Sequence, residues 1–200
     1  MFTYCDALEI EQRLPRMDVV TFLDPAISQK QEADFTAIVT VGFDPTNNYA
    51  YLLEAKQLKE TPDNIISELF QTVGKYRNAG KSYRAGIETV QYQKMLAMEI
   101  RNQMRIRDKF FNLEDVSPQG EKEARIRSML QPRYSSRSIV HPKNIPNLEA
   151  VELELLKFPN AKHDDLIDAL ASALALRKAN GTNQGSGLVT VDYGLSAFLD

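Results

Sequence analysis

Residues 158–174 read FPNAKHDDLIDALASAL, a segment that places three aspartates at the start of an otherwise almost entirely apolar run. The pattern predicts a helix from His163 to about Lys178, and on such a helix Asp168 shares a face with both Asp164 and Asp165. The helix therefore aims two carboxylates at one point. Because unpaired buried carboxylates are costly, we expect a cation beside them.

Two further acids stand at the ends of short apolar runs. DVVTFLD (18–24) ends at Asp24, directly before a proline, and YRAGIE (83–88) ends at Glu88. Both runs predict strands. In an open α/β sheet, ligands bind beyond the carboxyl ends of the strands, so the two acids face one crevice if their strands are parallel neighbours.

A divalent metal explains these acids better than a protein cation does. Lysine and arginine are sparse in the sequence around them, whereas Mg²⁺ and Mn²⁺ prefer oxygen ligands. Two such ions in one site support phosphodiester hydrolysis. Each acid taken alone also has a structural explanation, as a helix-terminal, turn or strand-end residue, and it is the coincidence of the three places that favours metal.

The remaining pattern predicts one α/β domain with a mixed sheet. A hairpin comes first, and helices alternate with strands after it. The predicted strands of the hairpin are 35–43 and 49–58; the later elements are helices at 61–79, 91–107, 121–130, 148–157 and 163–178, and strands at 83–88, 111–116 and 138–141.

Composition is typical of a cytosolic protein. The chain has 200 residues, 43% of them hydrophobic, with a net charge of -3 and a single cysteine, Cys5, so no internal disulfide forms. The N-terminus lacks a basic region followed by an apolar stretch, so we expect no signal peptide, and no apolar run is long enough for a membrane span. Residues 75–143 hold fifteen Lys and Arg against seven Asp and Glu, which indicates either a face for an anionic ligand or a solvated helical surface.

One motif is misleading. GKYRNAGKS (74–82) resembles a phosphate-binding loop, but five residues separate Gly74 from Gly80, whereas the loop has four. A helix is predicted before this segment and a strand after it, the reverse of the order that such a loop requires. We therefore interpret the segment as a glycine-containing turn.

Three segments together resemble a known family: VTFLDPA (20–26) with EADFTAIV (32–39), GIE (86–88), and LELLKFPNAKHDDLIDALASAL (153–174). The family is the C-terminal nuclease domain of tailed-bacteriophage large terminase subunits, which is related to RuvC resolvases and ribonuclease H. The resemblance implies a ribonuclease H-like (RuvC-type) mixed β-sheet flanked by helices over residues 17–178. Residues 1–16 are then expected to be a linker remnant and residues 179–200 a flexible tail.

The resemblance also implies an activity and its residues. It implies an endonuclease that cuts concatemeric viral double-stranded DNA during packaging, with two Mg²⁺ or Mn²⁺ ions and little sequence specificity. Asp24 matches the ligand that bridges both ions, Glu88 the second acid, and Asp165 is the first choice for the third, while Asp164 and Asp168 occupy motif positions with unseparated roles. The expected contacts to DNA phosphates are Lys122, Arg125, Arg127, Arg133 and Arg137.

The sequence leaves two other functions open: a RuvC-type junction resolvase, and a non-catalytic module that binds DNA or couples to a motor. A full large terminase carries an N-terminal packaging ATPase, and this sequence contains no Walker loop. We therefore expect an excised domain rather than a stand-alone nuclease. Its expected partners are the ATPase domain, the portal and the small terminase, and its expected location is the host cytoplasm.

Overall fold

The computed structural model describes residues 2–26, 35–90, 93–179 and 189–191. Within them the chain forms one sheet of eight strands in the order β1-β7-β4-β3-β2-β5-β6-β8. The strands are β1 (Thr3–Cys5), β2 (Asp18–Asp24), β3 (Thr36–Asp44), β4 (Tyr49–Leu58), β5 (Ser82–Glu88), β6 (Leu113–Pro118), β7 (Ile139–Pro142) and β8 (Val189–Val191). The α-helices are α1 (Ala7–Arg13), α2 (Pro62–Tyr76), α3 (Gln93–Ile106), α4 (Lys122–Ser135), α5 (Leu148–Lys157) and α6 (Asp165–Ala179).

The sheet is mixed, as predicted. β2, β3 and β4 form an antiparallel meander, and β2 then pairs in parallel with β5, which pairs in parallel with β6. In the β2–β5 ladder Leu23 lies opposite Ile87. The residues that follow these two, Asp24 and Glu88, are therefore neighbours at one edge of the sheet.

Helices cover both faces of the sheet because the central strands are apolar on both sides. Phe22 belongs to the core that includes Leu170 of α6 and residues of α4 and α5. The next residue, Leu23, belongs to the opposite core, with residues of α2 and α3. This alternation is the period of two expected in a strand. No helix among the described residues is long and apolar enough to cross a bilayer.

Helix α6 is the most enclosed of these elements. It packs on β2 and β3 on one side and on α4 and α5 on the other, and every residue from Asp165 to Leu176 is buried. The two buried acids on α6, Asp165 and Asp168, are therefore held by packing on all sides and have little freedom to reorient.

The expectation of a linker at residues 1–16 is wrong for residues 3–16. β1 pairs in parallel with β7, with Thr3 opposite Val140, and so extends the sheet. Helix α1 and the 3-10 turn after it are fixed by charge, since Arg13 and Arg16 both contact the buried carboxylate of Asp44, at 2.9 and 3.0 Å. These residues therefore belong to the folded domain.

The predicted flexible tail, 179–200, also needs correction in part. α6 continues to Ala179, and residues 189–191 form β8, which pairs in parallel with β6. The rest of the predicted tail, 180–188 and 192–200, lies outside the described residues. Helix α4 also extends beyond its predicted end at residue 130, with Pro132 inside its last turn.

Candidate metal centre

The ends of β2 and β5 bring the first two acids together. Asp24 is the last residue of β2, and Glu88 is the last residue of β5. Gln93 at the start of α3 ties the two strand ends, because its Nε2 donates to the Pro25 carbonyl at 2.8 Å and its Oε1 accepts from the Val90 amide at 2.8 Å. Asp24 and Glu88 therefore lie at the ends of neighbouring parallel strands.

The third acid comes from α6. Asp168 is buried, whereas Asp24 and Glu88 are partly buried. One carboxylate oxygen from each of the three residues can be chosen so that all three oxygens lie within 4.8 Å of one another. Two parallel strands and one buried helix thus converge on a single small volume.

Asp165, the first choice from the resemblance, is not a member of this group. Its carboxylate accepts a hydrogen bond from the Phe35 amide at 3.3 Å and lies 4.0 Å from His163 Nδ1. Three residues along a helix turn the side-chain direction by about 300°, so Asp165 and Asp168 point about 60° apart. The packing of α6 brings Asp168 into the three-carboxylate group, and Asp165 lies near enough that its charge also raises the pKa of Asp24.

Asp164 lies just before α6 and has a different role. Its backbone carbonyl accepts the Asp168 amide at 2.9 Å, which makes Asp164 the residue that starts the helix. Its side chain does not turn back to cap the helix but contacts Lys122 Nζ at 2.8 Å. Asp164 therefore stands beside the three-carboxylate group, linked to it through a lysine.

The electrostatics of the group show the cost of bringing these acids together. Burial raises the pKa of Asp24 well above its ordinary value, and the charges of Glu88 and Asp168 raise it further. Burial and the charge of Asp168 likewise raise the pKa of Glu88. Both carboxylates are therefore harder to ionise here than in water, and a bound cation would relieve this penalty.

Two cations of α4 already offset part of this charge. Arg125, which is 5% exposed, donates from Nη2 to both oxygens of Asp168 at 2.7 and 2.9 Å. Lys122 Nζ lies 3.4 Å from Asp168 as well as 2.8 Å from Asp164. Burial lowers the pKa of Lys122, but the hydrogen bond to Asp164 and the charge of Asp168 outweigh it, so the pKa is raised.

These two contacts change the sequence interpretation. The resemblance assigns Lys122 and Arg125 to DNA phosphates, and the sequence favours a metal over a protein cation beside the acids. Instead both side chains face the acids, because α4 packs against α6. Arg125 and Asp168 are 43 positions apart, so only a signal of long-range contact would have revealed the pair.

The other expected DNA contacts have separate environments. Arg127 pairs with Glu123 at 2.8 Å and lies over the Phe158 ring at 5.6 Å. Arg133 is partly buried, and burial and the nearby charge of Arg177 lower its pKa. Arg137 is exposed, in the turn between α4 and β7, with a φ of 56°. Among the described residues, none of these three arginines forms an ion pair with the three-carboxylate group.

The donor set fits a hard divalent ion. The converging atoms are all carboxylate oxygens, the ligand type that Mg²⁺ and Mn²⁺ prefer. An ion about 2.1 Å from each ligand requires oxygens no more than about 4.2 Å apart, so a small side-chain adjustment suffices. Asp24, Glu88 and Asp168 are the residues that would hold such an ion.

The structure is an α/β domain with a mixed sheet, helices on both faces, and carboxylates at the ends of two parallel strands and on α6. Among solved structures the chain is similar to the nuclease domain of human cytomegalovirus terminase, Mn-soaked and inhibitor-bound, with a TM-score of 0.62, 15% identity, and 88% of this chain and 90% of that one covered. It is also similar to the large terminase nuclease domain of bacteriophage SPP1 with bound Mn, with a TM-score of 0.56, 12% identity, and 88% and 94% covered.

A third similar structure is the nuclease domain of the P22 large terminase, with a TM-score of 0.57, 13% identity, and 84% and 89% of the two chains covered. No family model matches the sequence, and neither does any curated protein. The three likenesses confirm the predicted fold: the chain has the ribonuclease H-like fold found in viral terminase nuclease domains.

Proposed function

We propose that this protein is a Mg²⁺- or Mn²⁺-dependent endonuclease that cuts concatemeric viral double-stranded DNA during genome packaging, with little sequence specificity. The observation that carries the proposal is the convergence of Asp24, Glu88 and Asp168, with one oxygen of each within 4.8 Å of the others. The shared fold with terminase nuclease domains, two of them studied with Mn, supports the same activity.

Each residue of the acidic group has a proposed role in this chemistry. Bound divalent ions, two in the proposed mechanism, would supply Lewis acidity to the scissile phosphate and its attacking water. Asp24, Glu88 and Asp168 would hold the ions, and Asp24 would be the ligand common to both. Arg125 fixes the direction of the Asp168 carboxylate through two hydrogen bonds. We propose supporting roles for Asp164, which contacts Lys122, and for Asp165, which accepts the Phe35 amide.

DNA phosphates are proposed to bind outside the acidic group. Arg127, Arg133 and Arg137 on and after α4 are the proposed contacts, and neutralising phosphates with them makes affinity fall as salt rises. A packaging ATPase, the portal and the small terminase are the proposed partners, and the host cytoplasm the proposed location.

The test is cleavage of supercoiled plasmid in Mg²⁺, in Mn²⁺ and in EDTA. We expect nicking and linearisation only with metal, and a fall of about 100-fold or more in Asp24→Asn or Asp168→Asn, since metal ligation is worth several kcal/mol in the transition state. Asp18→Asn is the matched control: Asp18 stands at the other end of β2, where Ser82 Oγ donates to it at 2.7 Å, and this variant should stay active.

Two outcomes would redirect the assignment. Binding of plasmid without cleavage in any divalent metal would favour a DNA-binding or motor-coupling module. Strong preference for four-way junctions over linear duplex would favour a junction resolvase. Full activity in both Asp24→Asn and Asp168→Asn would overturn the metal centre itself.

A further inference from the structure

Glu154 is a buried acid that the proposed chemistry does not use. It lies on α5 and is 6% exposed. Its Oε2 accepts hydrogen bonds from the backbone amides of Leu166 and Ile167, both at 3.1 Å. These are two of the amides that the first turn of α6 leaves without an intrahelical acceptor. Glu154 therefore caps a helix to which it does not belong.

This cap replaces the usual local one. A residue that starts a helix normally accepts one of these amides with its own side chain. Asp164 holds that position, and its backbone carbonyl accepts the Asp168 amide, but its carboxylate contacts Lys122 instead. With the amides taken by Glu154, the Asp164 side chain is available to face the acidic group.

The arrangement is expensive for the fold. Burial raises the pKa of Glu154 to about 7, and the charges of Asp165 and Asp164 raise it too, against the lowering effect of the two amide hydrogen bonds. A neutral Ser or Asn beginning α6 would satisfy these amides without a buried acid. The geometry instead connects three elements, because Gln57 of β4 donates to Glu154 Oε1 at 3.4 Å.

We infer that Glu154 is a positioning residue of the metal centre: by accepting the Leu166 and Ile167 amides it fixes the first turn of α6, and with it the direction of the Asp168 carboxylate. This inference rests on the proposed function, since it assumes that Asp168 binds metal. Asp168 follows the two capped amides directly, so a shift of this turn moves its carboxylate relative to Asp24 and Glu88. Replacing a residue that orients metal ligands typically weakens metal affinity 10- to 100-fold, and we expect the loss of the Glu154 cap to weaken Mn²⁺ binding by about that factor.

The test separates the reach of the side chain from its charge. Glu154→Gln keeps an oxygen at the same distance and loses the charge; Glu154→Asp keeps the charge and withdraws the carboxylate by one methylene. Mn²⁺ affinity of the full chain is measured by calorimetry, and the exchange of the Leu166 and Ile167 amides by NMR. Glu149→Ala, an exposed acid on the same helix, is the control.

We expect Glu154→Gln and Glu149→Ala to bind Mn²⁺ within about threefold of wild type and to keep both amides protected. Glu154→Asp should bind at least about tenfold more weakly, with faster exchange of both amides. The inference is overturned if Glu154→Asp binds as wild type does, or if Glu154→Gln is as weak as Glu154→Asp. Failure of the wild-type chain itself to bind Mn²⁺ would overturn the proposed function as well, so the two failures are distinguishable.

Discussion

Replacing Asp24 with asparagine should stabilise the metal-free protein while abolishing its response to metal. Asp24 is held close to Glu88 and Asp168, with oxygens within 4.8 Å, and its raised pKa shows that its charge is disfavoured in the fold. Asparagine has nearly the same shape and no charge. Replacing this proposed metal ligand should therefore raise the free energy of unfolding in EDTA.

The magnitude follows from the distances. Two unit charges at 4.8 Å repel by about 3.5 kcal/mol at an effective dielectric constant of about 20. This value applies to the largest separation of these oxygens, and it is reduced because Arg125 largely neutralises Asp168 and Lys122 offsets part of the repulsion from Glu88. A gain of about 2 kcal/mol is expected, which corresponds to about 4–8 °C in Tm for a chain of this size.

The pH dependence of stability provides an independent check on the direction of the effect of Asp24→Asn. A carboxyl whose pKa is raised by folding costs stability once the pH exceeds its unfolded value, which for Asp24 is 3.8. The advantage of Asp24→Asn should therefore grow as the pH rises from about 4 towards 7 and vanish below about 4.

Thermal unfolding in EDTA and in Mn²⁺ is the assay, with Asp18→Asn as control. Saturating Mn²⁺ at about 100 times Kd should stabilise wild type by about 2.7 kcal/mol and leave Asp24→Asn unchanged. Destabilisation of the metal-free protein by Asp24→Asn, or equal stabilisation of both proteins by Mn²⁺, would refute the reasoning.

Three other predictions concern the fold and its charges. In Gly86→Ala the new Cβ would meet buried side chains, the nearest at 2.6 Å, so urea unfolding should show a free energy of unfolding lower by about 1–3 kcal/mol. Gly74 lies on an exposed helix face with nothing within 4 Å of a new Cβ, so Gly74→Ala should raise the free energy of unfolding by about 0.5–1 kcal/mol. Similar changes in the two variants would contradict this prediction. Lys122→Met removes a cation that competes with metal for Asp168, so calorimetry should show Mn²⁺ binding about tenfold tighter than to wild type. Weaker Mn²⁺ binding by this variant would contradict the prediction and show that the lysine supports the metal. Burial lowers the pKa of His141 despite its hydrogen bond to Glu152, so below about pH 6.5 the unfolded chain takes up a proton that the native state resists. The loss of stability between pH 7 and 5 should therefore be smaller in His141→Asn than in wild type. The same pH dependence of the free energy of unfolding in both proteins would exclude this histidine as the cause.

Local patterns predicted the central fold because the signals there are local. The hairpin of β3 and β4 and the apolar strand ending at Asp24 are contiguous segments, and a period of two or an apolar run identifies them. β1 escaped prediction because it has only three residues and is defined by its pairing with β7, more than 130 positions away. Helix α1 has no fully buried residue, so its sequence carries little core signal.

The candidate site was predictable in part for the same reason. Asp24 and Glu88 are recognisable in the amino-acid sequence because each is an acid that ends a predicted strand. The choice between Asp165 and Asp168 depends on how α6 is rotated about its axis, which its packing decides and its nearly uniform apolar sequence does not show. The counter-charges on α4 and the cap from Glu154 are contacts between separate elements, and short patterns do not report them.

The most direct test of the metal centre is a crystal soaked in Mn²⁺ and measured at a wavelength where manganese scatters anomalously. We predict anomalous density between the carboxylates of Asp24, Glu88 and Asp168. An absence of density at these side chains, in crystals that bind Mn²⁺ elsewhere, would contradict the proposed metal centre.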